Sequence, residues 1–577
     1  MPSNTGRSEI MPQKAIFKRS PLLPCCQVPA RNGQVRVDDP DIFRLYNNCK
    51  AYIDRPVLWE GLFQLACLLN DDPMEEPVAH MILDAAARQT DGQFQGTLTE
   101  QLHIARAVFA VFEYNTDSGL LQLLSSWCRA LEINWDSLIC DDNVIPQPAD
   151  LMEFLVRFYR TTGIKAVLRL CTKLRAAAVD WTTILQQFHQ KLPVIKQYTL
   201  DELSRFKIES KNDPNSFGSK LYLSIMPEYL ADGMRYSLNT GIFSGNGQDL
   251  TAAETAWKVI RKYHYSPVGG TGGDPLLSGT ASNEPVSTSA VSAWVEAFAF
   301  QTAYNEASWA ADELTRISFN AIRFLLHQEQ IPVRQYVNSG TFSEAEDGTD
   351  EQEKIHASAR LARAVSCIYK SAVALTVDNA LSFNLLLHGR YLVSAAGQPV
   401  LFRIDENRDI SIISGKSAEL SVKLFYANTE TCGFSICLNG QENEIYPFHE
   451  ENDHGYYVIL SHSLKTDGCL KRLDTKHIRK FDSHHQGKCY AADNRILACP
   501  VLRSDEWRIA VTGDPDRQDH EIVLPVSNVS GHWNCRNHLP ADIPVLPEIS
   551  GESRSVTLQP YDSLQNRMTV FPKAKEK

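Results

Sequence analysis

The chain has 577 residues, 43% hydrophobic and 22% charged, with 57 basic against 69 acidic residues and a formal charge of −12. That length exceeds one ordinary core, so two or three domains of a globular protein are expected. The acidic balance argues against a nucleic-acid partner, whose usual footprint is a basic face, and no stretch reaches the roughly 18 uncharged apolar residues of a membrane-spanning helix.

The opening MPSNTGRSEIMPQKAIFKRS holds no apolar run of signal-peptide length. The expected location is therefore the cytoplasm, where the 14 scattered cysteines remain reduced thiols. No Cys-x-x-Cys pair occurs, so spacing supports no cysteine-based zinc site. Residues 1–37 read as a poorly ordered leader, 38–385 as helical, and 386–577 as β-rich with a short charged tail.

The helical part opens with Leu58–Leu69, stopped by Asn70-Asp71-Asp72-Pro73. Pro77–Arg88, Leu102–Tyr114, Leu120–Leu131, Leu151–Thr162 before Gly163, and Ala166–Ala178 repeat the spacing. Glu254–His264, Ser289–Tyr304, Ser308–His327 and Ala357–Ala374 complete it. So many helices joined by short polar turns predict a helical barrel or solenoid. No fixed-period self-similarity supports a regular repeat protein.

Between Glu254–His264 and Ser289–Tyr304 lies Val268-Gly269-Gly270-Thr271-Gly272-Gly273-Asp274. A phosphate-binding loop needs Lys-Ser/Thr after the glycines, and a dinucleotide loop needs a preceding strand. Neither is present, so the loop reads as a helix-to-helix connection at a barrel rim. From 386 the apolar period changes from 3.6 to 2. Tyr391–Val393, Val400–Arg403, Ile410–Ile413, Leu420–Phe425, Gly433–Leu438 and Tyr456–Leu460 are short β-rich runs. Asn439-Gly440 and Asp467-Gly468 are turn signals, and Asn494–Val501 and Trp507–Val511 continue the pattern. The expected fold is α+β multidomain: an (α/α)6 helical barrel followed by an antiparallel β-sandwich.

Six segments resemble motifs of glycoside hydrolase family 127, the β-L-arabinofuranosidase-like family, in that family's order. Gln89-Thr90-Asp91-Gly92 resembles its Gln-x-Asp-Gly turn, and Leu102-His103-Ile104 with Ala107-Val108 its Gly-His-Leu-Ile-x-Ala-Ala-Val helix. Leu155-Val156-Arg157-Phe158-Tyr159-Arg160-Thr161-Thr162-Gly163 resembles its Leu-Val-x-Leu-Tyr-Arg-x-Thr-Gly signature. Val268–Gly273 is similar to its Thr-Gly-Gly-Ile-Gly loop. Gln335-Tyr336-Val337-Asn338 is similar to its Tyr-x-Asn-Pro segment, and Leu438-Asn439-Gly440 to its Val-Asn-Gly turn.

The resemblance implies a zinc-bound cysteine nucleophile, further Cys and Glu ligands, and a Glu acid/base. Where the family has Glu-Thr-Cys, this chain reads Ser287-Thr288-Ser289. Where the family has Cys-Cys-Pro-x-Asn-x-Ala-Arg, it reads His356-Ala357-Ser358-Ala359-Arg360-Leu361-Ala362-Arg363. The zinc-thiolate mechanism is therefore not expected, and neither metal nor cofactor is. His356, at the nucleophile position, is the catalytic candidate as a general base or acid, with Asp274 or Glu284 as substitutes for the acid/base. His103, Asp91, Trp59, Gly270, Gly272 and Arg363 are the substrate-binding candidates. Each has a plainer reading: core histidine for His103, helix-cap filler for His356, turn former for Asp91, core packing for Trp59, a carboxylate partner for Arg363. His484-His485 alone is a weak metal signal and is assigned no role.

Three functions fit. One is a divergent glycosidase-like protein acting on or binding a small glycoside. Another is an intracellular isomerase, lyase or cyclase of specialised metabolism on a non-sugar substrate. The last is a non-catalytic carbohydrate-binding or scaffold protein. The expected partners are a small-molecule substrate and a second copy in a homodimer, with no nucleic acid and no membrane.

Overall fold

The computed structural model describes residues 26–138, 148–213, 215–280, 285–336 and 350–377. Beyond these it describes 380–395, 398–414, 422–427, 433–438, 441–445, 456–459, 469–473, 478–483, 487–492, 494–500, 509–518, 521–529, 549–564, 567–569 and 571–572.

The principal helices are α1 (Pro40–Lys50), α2 (Pro56–Leu69), α3 (Pro77–Ala87), α4 (Leu98–Asn115), α5 (Ser118–Ile133) and α6 (Ala149–Thr162). They continue with α7 (Lys165–Ala177), α8 (Pro227–Ser244), α9 (Gly247–Tyr263), α10 (Thr288–Asn305), α11 (Ser308–Ile317) and α12 (Glu351–Ala372). Local chemistry sets their ends. Proline opens α1, α2, α3 and α8, where its missing N–H has no helical partner to lose. Thr97 and Glu100 form a reciprocal capping box on α4, and left-handed Gly163 closes α6.

The even-numbered helices are buried on almost every face, whereas α1, α3, α5, α7 and α9 bury one stripe; α11 is buried nearly throughout. α2 packs on α4 and α12, α12 on α10, α10 on α8, and α8 on α6. Phe109 of α4 meets Phe154 and Phe158 of α6 edge-on, closing the ring. Outside it, α1 packs on α2, α3 and α5 on α4, α7 on α6, α9 on α8 and α11 on α10. Inner helices run parallel, whether neighbours such as α4 and α6 or separated by one helix as α8 and α12 are. Arg106–Asp150 and Glu113–Arg157 both join α4 to α6 across 44 residues, and Glu228–His356 and Asp232–Arg360 both join α8 to α12 across 128.

Helices at Trp181–Gln186, Leu200–Asn212 and Phe217–Ser224 fill the excursion between α7 and α8. The sequence predicts one helix over Ser308–His327, but a π turn at Ser318–Ile322 divides it. There Asn320 donates to Asn494 O and accepts from Ile496 N, tying the π turn to the C-terminal β region.

Part of the segment read as a leader is strand. Gln27–Pro29 pairs with Val373–Thr376 and Val35–Arg36 with Gly389–Ala395. The β region also begins before 386, because the chain passes from α12 straight into strand Val373–Thr376. Among the described residues, five strands form one sheet, antiparallel except where Leu381–Phe383 runs beside Val422–Tyr426. A second sheet has seven strands and a third nine. The Asn439-Gly440 and Asp467-Gly468 turn signals lie outside the described residues, although strands Gly433–Leu438 and Gln441–Ile445 around the former pair antiparallel. The main core runs from the helices into the first two sheets, while Leu497, Leu524, Val526, Met568 and Phe571 build a smaller one in the third. Among the described residues, no helix is long and apolar enough to cross a membrane.

Candidate functional site

Each inner helix sends one charged side chain to the same level of the ring. Glu60 of α2 accepts from Arg106 of α4 at 2.7 Å, and Arg106 reaches Asp150 of α6 at 2.6 Å. Asp150 pairs with Arg235 of α8, which reaches Glu296 of α10 at 3.3 Å. Glu296 pairs with Arg363 of α12 at 3.1 Å, and Arg363 returns to Glu60 at 3.8 Å. Signs alternate around this circuit. Arg363 also crosses it to Asp150 at 2.9 Å, and Glu153 adds a second carboxylate to Arg235. Such an assembly is tolerable away from water only because every charge faces an opposite one. Burial alone would push the Glu60 carboxyl up, but Arg106 and Arg363 outweigh it and hold it at about 2. Against the same burial, Asp150 is held well below the usual carboxylate range by Arg106, Arg363 and Arg235, and Glu296 is lowered by Arg363, Arg235 and Arg360.

The N-terminal ends of α8 and α12, above the circuit, are called the mouth of the ring. His356 of α12 is 48% exposed, and its Nε2 lies 2.7 Å from Glu228 Oε1 on α8. One turn further, Arg360 donates to Glu228 at 3.2 Å and holds both oxygens of Asp232. Burial would raise Glu228, but His356 and then Arg360 bring it down to about 2. His103 on α4 is half-buried, and burial pushes its imidazole down to about 4, with Asp150, Arg363, Arg106 and Glu60 as its charged surroundings. Trp59 on α2 is buried and donates its indole N–H to Ile53 O at 2.6 Å.

His356, His103, Trp59 and Arg363 therefore belong to the ring helices, and Arg363 is part of the charged circuit. The other candidates lie in connections. Asp274 is ion-paired with Arg334 beside the short ladder of Pro285–Ser287 and Arg334–Tyr336. Glu284 lies outside the described residues, as do Val337, Asn338, His484 and His485. Asp91 is exposed at φ 51, between Thr90 and Gln93, which form an isolated antiparallel bridge. Gly270 and Gly272 sit in a buried loop: Gly272 N donates to His264 O, and a Cβ on Gly270 would stand 3.0 Å from the Trp294 ring. Next to it, Gly269 has φ 105, and a Cβ there would stand 2.7 Å from the Ile317 backbone. Close packing therefore accounts for Gly269 and Gly270.

The residues present do not fit the zinc implied by the family resemblance. Ser287 Oγ caps α10 by accepting from Ala290 N, Thr288 donates to Pro332 O, and Ser358 donates to Lys354 O. Hydroxyls committed to backbone are poor substitutes for thiolates. Among the described residues, no three His, Cys, Asp or Glu side chains are grouped to hold a metal ion.

No protein-family model matches the sequence, and no curated protein does. Solved structures do match. A glycoside hydrolase superposes with a TM-score of 0.69 at 11% identity, over 96% of this chain and 98% of its own. The fold is that of a glycoside hydrolase. A GH127 β-L-arabinofuranosidase from Geobacillus stearothermophilus T6 matches at 0.61 and 14% identity, over 93% of this chain and 94% of its own. A GH127 β-arabinofuranosidase matches at 0.64 and 12% identity, over 95% and 98%. This family-127 fold agrees with the resemblance carried by the motifs.

Sequence reading missed most of the circuit: Glu60, Arg106, Asp150, Arg235 and Glu296. A signal for two of them was present. Arg106 interrupts LHIARAVFAVFEY and Glu296 interrupts AVSAWVEAFAF, both apolar on all faces. A charge in such a helix points inward and needs a partner there.

Proposed function

We propose that this chain is a glycoside-hydrolase-type protein, an (α/α)6 barrel backed by a β-sandwich, that takes a small glycoside at the mouth of its helical ring. His356 moves the proton, without zinc-thiolate chemistry. The observation that carries this reading is the His356–Glu228 pair at the motif position of the family's nucleophile. Glu228, kept ionised, orients one imidazole nitrogen, leaving the other to accept or deliver a proton. His103 and Trp59 are the proposed ligand contacts, and Arg363 with the circuit forms the floor. Asp274, tied to Arg334, is the proposed rim acid.

One observation favours a second reading, an isomerase, lyase or cyclase on a non-sugar substrate. Glycoside cleavage needs a carboxylic acid kept protonated, with its pKa raised. Glu60, Asp150, Glu228 and Glu296 are all displaced downward. A lone histidine–carboxylate pair is better suited to shuttling a proton within one substrate.

The test is turnover of aryl furanosides and pyranosides by the purified chain, beside His356→Ala and Glu228→Gln. We expect turnover that falls by about 10²–10⁴ in His356→Ala, the range for a lost general base or acid, with the pH profile displaced in Glu228→Gln. Turnover that survives His356→Ala removes His356 from the chemistry. No turnover of any glycoside by the unaltered chain transfers the proposal to the second reading.

A further inference from the structure

Beneath the charged circuit, on the side away from His356, the ring encloses a cavity of about 230 Å³. His356 and Lys370 stand fourteen residues apart on α12, about 21 Å at 1.5 Å per residue, and the charged circuit, which lines the cavity's upper end, stands between them. It is smaller than the roughly 300–1,000 Å³ of sites for drug-sized ligands. Pro29 and Ala30, from the N-terminal strand, form part of its wall, and Ala30 N is fixed to Lys370 O. Phe300 and Tyr304 of α10 stack at 5.7 Å and, with Ala303, make an apolar side.

The lining is electrostatically lopsided. Arg106, Arg157, Arg235 and Arg363 are bound to carboxylates of the network. Exposed Arg31 and half-buried Lys370 line the cavity too; both act on the Glu113 carboxylate through space, with no ion pair within 4 Å among the described residues. Lys370 carries three N–H donors, and its hydrogen bond is a long one, 3.4 Å to Asn32 Oδ1. Glu113, the nearby carboxylate, is already engaged by Arg157 and by Asn32 Nδ2. Arg235, 1% exposed, has a buried Nε–H without an acceptor among the described residues. A partly enclosed space lined both by spare cationic donors and by aromatic carbon fits a compact anion with an apolar body.

We propose that this lower cavity is a second binding site, for a small aromatic or branched carboxylate. Lys370 and Arg31 receive the carboxylate, and Phe300, Ala303 and Tyr304 cover the apolar part. This site does not depend on the chemistry at His356.

Benzoate is the probe, titrated calorimetrically into the full chain at low salt, with benzyl alcohol as its neutral analogue and inorganic phosphate as an anion lacking the ring. We expect saturable benzoate binding that neither comparison ligand matches. Lys370→Met is expected to weaken it about tenfold, equivalent to 1.4 kcal/mol, Arg31→Gln to weaken it in the same direction, and His356→Ala to leave it unchanged. Absence of saturable benzoate binding overturns the proposal, as does equal affinity for benzyl alcohol or phosphate. Binding lost in His356→Ala but kept in Lys370→Met places benzoate in the mouth and also overturns it. The comparison of the three ligands on the unaltered chain decides the matter even where a variant fails to fold.

Discussion

At the scale of single residues, environment outweighs residue type. His103 and His356 both stand on ring helices on the N-terminal side of the circuit, yet they differ. His356 has an acidic partner and faces solvent, whereas His103 is pushed down to about 4 by burial. An unfolded chain would protonate His103 near 6.5. Between those values the unfolded chain holds a proton that the folded chain lacks, so stability falls as the pH drops from 6.5 toward 4. Glu60 and Glu228, at about 2, act in a lower window. Their contribution is complete above the unfolded carboxylate value of about 4.3 and is lost as the pH falls toward 2. Urea unfolding at pH 7, 5.5, 4 and 3 separates the two effects. His103→Gln, which does not titrate there, should flatten the decline between 6.5 and 4 while keeping the one below it. Identical slopes in both proteins would assign the upper window elsewhere.

At the scale of elements, the glycine-rich connection is explained by what it packs against. Val268–Gly273 is buried, with Gly269 pressed on the Ile317 backbone where α11 enters its π turn. Gly163, also left-handed at φ 68, has nothing within 4 Å of an added Cβ. Gly163→Ala should therefore cost only the conformational penalty, about 1 kcal/mol. Gly269→Ala adds a backbone clash and should cost about 1–3 kcal/mol more. Equal losses in denaturant midpoint would mean that the loop moves freely away from α11. The predicted elements show a parallel lesson. Helices with a clear apolar period, such as Leu58–Leu69 and Leu151–Thr162, appear within a few residues of their expected limits as α2 and α6. The sequence reading omitted α8, because Asp232, Arg235, Ser237 and Asn239 break its apolar pattern. Those same polar residues are buried against the ring.

At the scale of the whole molecule, the charged circuit joins six helices that are distant in sequence. Removing one member leaves its partners buried and uncompensated, a loss of about 3–5 kcal/mol. Arg235→Met tests this, because Arg235 is 1% exposed and faces Asp150, Glu153, Asp232 and Glu296. The expected loss is large by urea unfolding, whereas Arg169→Ala, at an exposed pair with Glu132, changes little. A small effect of Arg235→Met would mean that water reaches the circuit. The β region is coupled to the ring by Asn320 at the π turn and by the strand Gln27–Pro29, and the helices share the main core with the first two sheets.

The sequence by itself determined the order of the large parts, helices first and strands after, because apolar period is a local property of the chain. It also determined that Ser287-Thr288-Ser289 and His356-Ala357-Ser358 hold no cysteine, since residue identity needs no fold to be read. Tertiary structure alone decided that Glu228 faces His356 across 128 residues and that Glu60 meets Arg363. It alone turned Arg106 and Glu296 from irregularities in apolar helices into neighbours in one circuit, and it alone opened the cavity beside Lys370. The physical reason is the same in each case: a side chain's partner is set by the packing of helices far apart in sequence, and no local pattern encodes it.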